Sequence, residues 1–169
     1  GYDAVGNLVS IVDELNQTTS YAYDDLNRRI RVTDALSDIT RTEYDSVGNI
    51  LAVTDALDRV TRFDYDGLDR RIRKIDADPD GAGSKSSPLT TFAFDAAGNL
   101  LTMTDALGRD TRYTYDSLNR LTRLEDAAGD VATRQYDAVG NLVTTTDPLR
   151  HTTNYVFDGL NRVVRTISA

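Results

Sequence analysis

An aromatic–aspartate pair returns eight times in register along this chain, and so short a repeat constrains the architecture more than any other feature. The pairs are Tyr2-Asp3, Tyr23-Asp24, Tyr44-Asp45, Tyr65-Asp66, Phe94-Asp95, Tyr115-Asp116, Tyr136-Asp137 and Phe157-Asp158. Successive pairs lie 21 residues apart, except for one interval of 29. The long interval holds the segment from Asp76 to Pro88, which reads as an eight-residue insertion. Units this short cannot hide their apolar residues alone, so they must stack on their neighbours. The expected organisation is one array over residues 1–169, of eight units of 21 residues.

A longer period lies on top of the first. Five residues after each aromatic the chain reads Asn7, Arg28, Asn49, Arg70, Asn99, Arg120, Asn141, Arg162. The preceding residue alternates in step: Gly6, Gly48, Gly98 and Gly140 interleave with Asn27, Asp69, Asn119 and Asn161. The true unit is therefore a pair of repeats, about 42 residues long.

Each unit carries two turn signals. In the first, aromatic-Asp-x-x-Gly/Asn, the Asp accepts bonds from nearby amides and the Gly or Asn tolerates positive φ. The second is Asp-Ala-Leu, as at Asp34, Asp55 and Asp105. Between them lie short β-prone runs such as Arg29–Thr33 and Thr40–Tyr44. No segment sustains a helical period, and turn residues interrupt every eight to twelve positions. Period two places Tyr21/Tyr23, Phe63/Tyr65, Phe92/Phe94, Tyr113/Tyr115 and Tyr155/Phe157 on one face, with Ile30/Val32, Leu51/Val53 and Leu101/Met103 aligned in the following strands. The apolar residue of each aromatic-Asp turn (Val5, Leu26, Val47, Leu68, Ala97, Leu118, Val139, Leu160) is expected to tuck beneath it. The fold class is all-β: tandem antiparallel hairpins in a long twisted, spiralling sheet of about fifteen strands, roughly 70 Å wide at about 4.8 Å per strand.

Composition narrows the functions. The net charge is −8, which repels duplex DNA and anionic membranes and counts against nucleic-acid partners. No cysteine is present, so disulfides, thiolate nucleophiles and cysteine metal sites are excluded. No run approaches 18 apolar residues, so membrane insertion is not expected, and no signal peptide is visible. The chain opens at Gly1-Tyr2 without a Met, so the natural start is expected to lie upstream.

The units Tyr2-Asp3-Ala4-Val5-Gly6-Asn7-Leu8 and Tyr136-Asp137-Ala138-Val139-Gly140-Asn141-Leu142 resemble the RHS/YD repeat. The resemblance covers the whole chain, because all eight copies keep register. It implies a β-ribbon that spirals into a hollow shell or barrel, enclosing a toxic C-terminal domain in bacterial polymorphic toxins and insecticidal toxin complexes. Related barrels occur in teneurin adhesion receptors, and cell-wall-associated bacterial members exist. The implied role is a non-catalytic wall segment of a large secreted or cell-surface protein. Its partners would be neighbouring repeats of the same polypeptide or other copies, with an enclosed toxin domain as cargo. The family's shells use many more repeats, so this chain resembles an excised piece. Two alternatives stay open, a self-associating extracellular fibre or sheath subunit and a carbohydrate-binding adhesin.

Candidate chemistry is sparse. His151 has no Ser, Cys or His partner in repeat register, so it reads as a solvent-facing turn residue. The repeated Asp has one job in every copy, turn capping, whereas an active site interrupts a pattern; no enzyme is expected. Asp147-Pro148 is an ordinary turn rather than the self-cleaving Asp-Pro motif of some family members. The insertion contains Asp76-Ala77-Asp78-Pro79-Asp80-Gly81, the opening of a calcium loop. Asp76, Asp78 and Asp80 are the candidate calcium ligands, against which stand Ser87 at position twelve and a Gly/Ser-rich run, residues 81–87, typical of a flexible tip. The alternating arginines are expected to form a ladder, each bridging turn aspartates of adjacent repeats.

Overall fold

A computed structural model describes residues 1–81, 83 and 85–168. The linker-like run expected at residues 81–87 therefore falls partly outside the described residues. The described chain is all-β: it contains fifteen strands, those of each unit pair antiparallel, and no helix occurs among the described residues.

The chain divides into two compact units, Gly1–Leu89 and Thr90–Ala169. The first holds β1 (Ser10–Val12), β2 (Thr18–Tyr23), β3 (Arg29–Thr33), β4 (Ile39–Tyr44), β5 (Ile50–Thr54), β6 (Val60–Tyr65) and β7 (Arg71–Ile75). Its strands pair in sequence order, an open meander in which β1 and β7 do not meet. The second contains β8 (Leu89–Phe94), β9 (Leu100–Thr104), β10 (Asp110–Tyr115), β11 (Leu121–Glu125), β12 (Val131–Tyr136), β13 (Leu142–Thr146), β14 (Thr152–Phe157) and β15 (Val163–Ser168), again paired in order. Meanders with short turns need no crossover, which follows from a repeat that offers only local partners.

Each hairpin closed by an aromatic-Asp turn slips by one residue at the aromatic. Ala22 faces Arg31 but Tyr23 faces Arg29, so Ile30 is passed over. The same shift passes over Leu51, Ile72, Leu101, Thr122, Val143 and Val164. Such a bulge sharpens the local twist and re-aims the strand end.

Burial departs from the expectation of a core. Ala52 is the one fully buried hydrophobic residue among the described residues, and the strand aromatics are half-covered by their neighbours. The turn residues expected to tuck under do not. Val5, Leu26, Val47, Leu68, Leu118, Val139 and Leu160 are 64–73% exposed. The cause is the loop geometry. Each of these residues sits at the tip, its own amide drawn to the turn Asp, and its side chain has no second layer to meet.

Candidate functional site

The repeated Asp, Asn and Arg of the aromatic-Asp turns converge on the joints between hairpins, and each joint is built from one loop. In the turn Asp24–Arg28, the Asp24 amide donates to the Arg28 carbonyl at 3.0 Å and the Asn27 amide donates to the Asp24 carbonyl at 3.0 Å. Asp24 Oδ1 accepts from the amides of Leu26 and Arg28, at 3.0 and 2.9 Å. Asn27 holds φ at 59°. This is a type I turn closed by a left-handed residue, a common three-residue hairpin loop. Asp supplies the acceptor and Gly or Asn the left-handed backbone.

The Asp-Ala-Leu turns prove to be the same loop. Asp55 Oδ1 accepts from Leu57 and Arg59 at 2.9 and 3.0 Å, and Asp58 is left-handed at φ 56°. The unit is thus one loop used twice, with an Asp every ten or eleven residues along the chain outside the insertion. The insertion keeps the same closure: the Asp76 amide donates to Pro88 at 2.8 Å, as the Asp55 amide does to Arg59 at 3.0 Å. Hydrogen bonds from the Arg four residues on hold the carboxyls of Asp66, Asp105 and Asp158 below the ordinary aspartate range. The Asn99 side chain acts likewise on Asp95.

What alternates is the clamp between consecutive aromatic-Asp turns. Asn7 Nδ2 donates to Asp3 Oδ2 at 2.9 Å within its loop and to Asn27 Oδ1 at 2.8 Å in the next. Asn49 joins Asp45 to Asp69, Asn99 joins Asp95 to Asn119, and Asn141 joins Asp137 to Asn161 in the same way. At the intervening joints an arginine takes over. Arg28 Nε donates to Asp24 Oδ2 at 2.7 Å, while Nη1 reaches the Asp45 carbonyl at 2.6 Å. Its guanidinium also lies 4.8 Å from the centre of the Tyr44 ring. Arg120 repeats this, with Asp116 at 2.7 Å, the Asp137 carbonyl at 3.2 Å and the Tyr136 ring at 4.6 Å. The planar guanidinium can satisfy a carboxylate, a carbonyl and a ring face at once, which a lysine cannot. The tyrosine hydroxyls close the joints from beneath: Tyr23 donates to Leu8 O, Tyr44 to Arg29 O and Tyr136 to Leu121 O.

The arginine ladder expected from the alternation is present in these joints, with one adjustment. The acceptor in the next repeat is the carbonyl of its Asp, because the carboxylate is already occupied by its own loop. The asparagine clamp was missed. Its signal lay in the sequence, since each Asn stands one repeat ahead of a left-handed Asn or Asp able to accept its amide. At the opposite edge, Arg59 and Arg109 return to their own Asp55 and Asp105. Shallow clefts there separate consecutive turns, one between Asp13–Gln17 and Asp34–Leu36, another between Gly108–Arg109 and Asp126–Gly129.

The remaining candidates fall into place around this scheme. His151 occupies the turn-closing position, its Nδ1 2.9 Å from Asp147 Oδ2. Asp147-Pro148 opens an ordinary loop, with the Asp147 amide donating to His151 O at 3.0 Å. Each calcium candidate has a bond of its own in the insertion. Asp76 pairs with Lys74 at 2.6 Å, Asp78 accepts the Asp80 amide at 3.1 Å, and Asp80 accepts the Lys85 amide at 3.2 Å. No three His or acidic side chains among the described residues gather into a metal-holding group.

Fold and joints together define a tandem β-hairpin repeat protein whose repeated residues bind hairpin to hairpin. The chain belongs to the RHS repeat family, whose RHS Repeat signature matches residues 2–39, 44–82, 94–131 and 136–169. No curated protein shows significant similarity to it. Among solved structures it is similar to a chain of the Photorhabdus luminescens Tc holotoxin pore carrying a TccC3 mutation. The TM-score is 0.76 and the identity 19%, covering 99% of this chain and 10% of that one. It is also similar to TcdB2-TccC3 without its hypervariable C-terminal region, with a TM-score of 0.54 and 18% identity over 97% of this chain and 11% of that one. The chain spans about a tenth of the length of these relatives, and at such identity the likeness is one of fold.

Proposed function

We propose that this chain is a non-catalytic wall segment of a larger secreted or cell-surface polypeptide, whose spiralling ribbon encloses a toxin or other cargo. The observation that carries the reading is the use of the repeated residues. The Asp, Asn and Arg of the aromatic-Asp turns serve the joints, and in each unit the strand rings stay half-exposed with no buried layer beneath them among the described residues. A sheet of this kind is a wall, which becomes a compartment only when more of it closes around a space. The RHS Repeat match and the likeness to Tc complex structures support that role.

The test is electron microscopy of the complete polypeptide with protease challenge of whatever follows the repeats. Closed hollow particles that shield a downstream segment support the reading. Filaments would favour the sheath alternative, and extended particles with a freely digested downstream segment would remove the cargo role.

A further inference from the structure

Charge is sorted across the first unit. Its strands carry Arg29, Arg31, Arg41, Arg62, Arg71, Arg73 and Lys74 against only Glu43 and Asp64. Every other acidic residue of the unit lies in turns or in the insertion. The register places four of the arginines on one face. Arg31 faces Arg41, Glu43 faces Ala52, Ala52 faces Arg62, and Asp64 faces Arg73. All four arginines are exposed.

Arg31 opposite Arg41 is a like-charge pair at a cross-strand position, an arrangement that costs stability. The repeat does not require it. At the equivalent joints an arginine meets a neutral residue, as Arg62 meets Ala52, Arg112 meets Thr102 and Arg123 meets Thr133. Glu43 and Asp64 share this face and offset part of the charge, leaving it net cationic. Arg73 bonds Asp64 at 3.0 Å and Arg41 lies 3.7 Å from Asp58, while neither Arg31 nor Arg62 has a side-chain ion pair or hydrogen bond among the described residues.

We propose that this arginine face of the first unit binds an extended acidic peptide segment lying across the strands. The step from β3 to β7 is four strand spacings, about 19 Å at about 4.8 Å each. An extended segment of about six residues covers that distance at about 3.3 Å per residue. Acidic turns flank the lane at both ends of the strands. Within the unit the cationic side chains are confined to β3–β7, since β1 and β2 carry no charge, and a short carboxylate-bearing peptide matches that span. This inference is independent of the shell reading.

The test titrates the 169-residue chain into labelled hexaglutamate, with hexalysine and a heparin fragment as comparisons. Hexaglutamate is expected to bind at low salt and to be released as salt rises. Arg31→Thr with Arg62→Thr is expected to weaken binding at least about tenfold, while Arg109→Thr in the second unit leaves it unchanged. Arg31→Thr alone is expected to raise the thermal midpoint, which shows that the variants remain folded. Silence with hexaglutamate at low salt, equal loss in the Arg109 variant, or binding of heparin without hexaglutamate would each overturn the proposal.

Discussion

At the level of single residues, the left-handed position of each loop separates what glycine does from what asparagine does. Gly48 holds φ at 106° and Gly140 at 100°, whereas Asn119 and Asn161 sit near 60°. An added Cβ at Gly48 meets nothing within 4 Å, so the penalty for a side chain there is the backbone's own. Gly48→Ala is expected to destabilise by about 1–2 kcal/mol, and Asn119→Gly by less than that, through the lost clamp to Asn99. Urea midpoints of the two variants measure the difference. Tyr136→Phe removes the bond to Leu121 O and is expected to cost about 0.5–1.5 kcal/mol, read in the same titration. The exposed tips predict the opposite behaviour. Leu36→Ser, at a side chain 81% exposed, should shift stability by no more than about 0.5 kcal/mol; a larger loss would mean that the tip is packed.

At the level of the hairpin, one carboxylate per loop organises the turn, which makes acid the natural denaturant. The carboxyls of Asp66, Asp95, Asp105 and Asp158 are held below the ordinary range by the Arg or Asn that closes each loop. A free aspartate titrates near about 3.9. The stability these groups contribute is therefore complete above that value and disappears as pH falls through their lower folded values. Thermal midpoints taken from neutral pH downward should stay level and then fall steeply below about pH 4, and Asp66→Asn with Asp158→Asn should flatten the fall. Strand positions and turn sites were legible in the sequence because Asp, Gly and Asn mark turns by their own chemistry. The identity of the two turn types was not, because Tyr-Asp and Asp-Ala-Leu look different while Asp and the residue three places on do the same work in both. Tip burial was misjudged for a related reason: apolar character at Leu26 or Val47 shows what a residue would prefer, and only the loop's direction shows that nothing lies within reach.

At the level of the molecule, the repeat supplies joints where the described residues bury almost no core. The 42-residue alternation was plain in the sequence, and the arginine half of its meaning followed from charge. The asparagine half needed the register, since Asn99 and Asn119 lie twenty residues apart and touch only when consecutive turns align. A second alternation also went unread. The residue eight places after each aromatic runs Ser10, Arg31, Ala52, Arg73, Thr102, Arg123, Thr144, Arg165, and it matters only once pairing puts it on the face away from the rings. The most direct test of the whole account is a side-chain contact map of the second unit by NMR. The account predicts cross-peaks from Asn99 to Asn119, from Arg120 to the Tyr136 ring and from Asn141 to Asn161, the two clamps alternating along one edge. A chain that shows an ordinary β spectrum with none of these three contacts would contradict it.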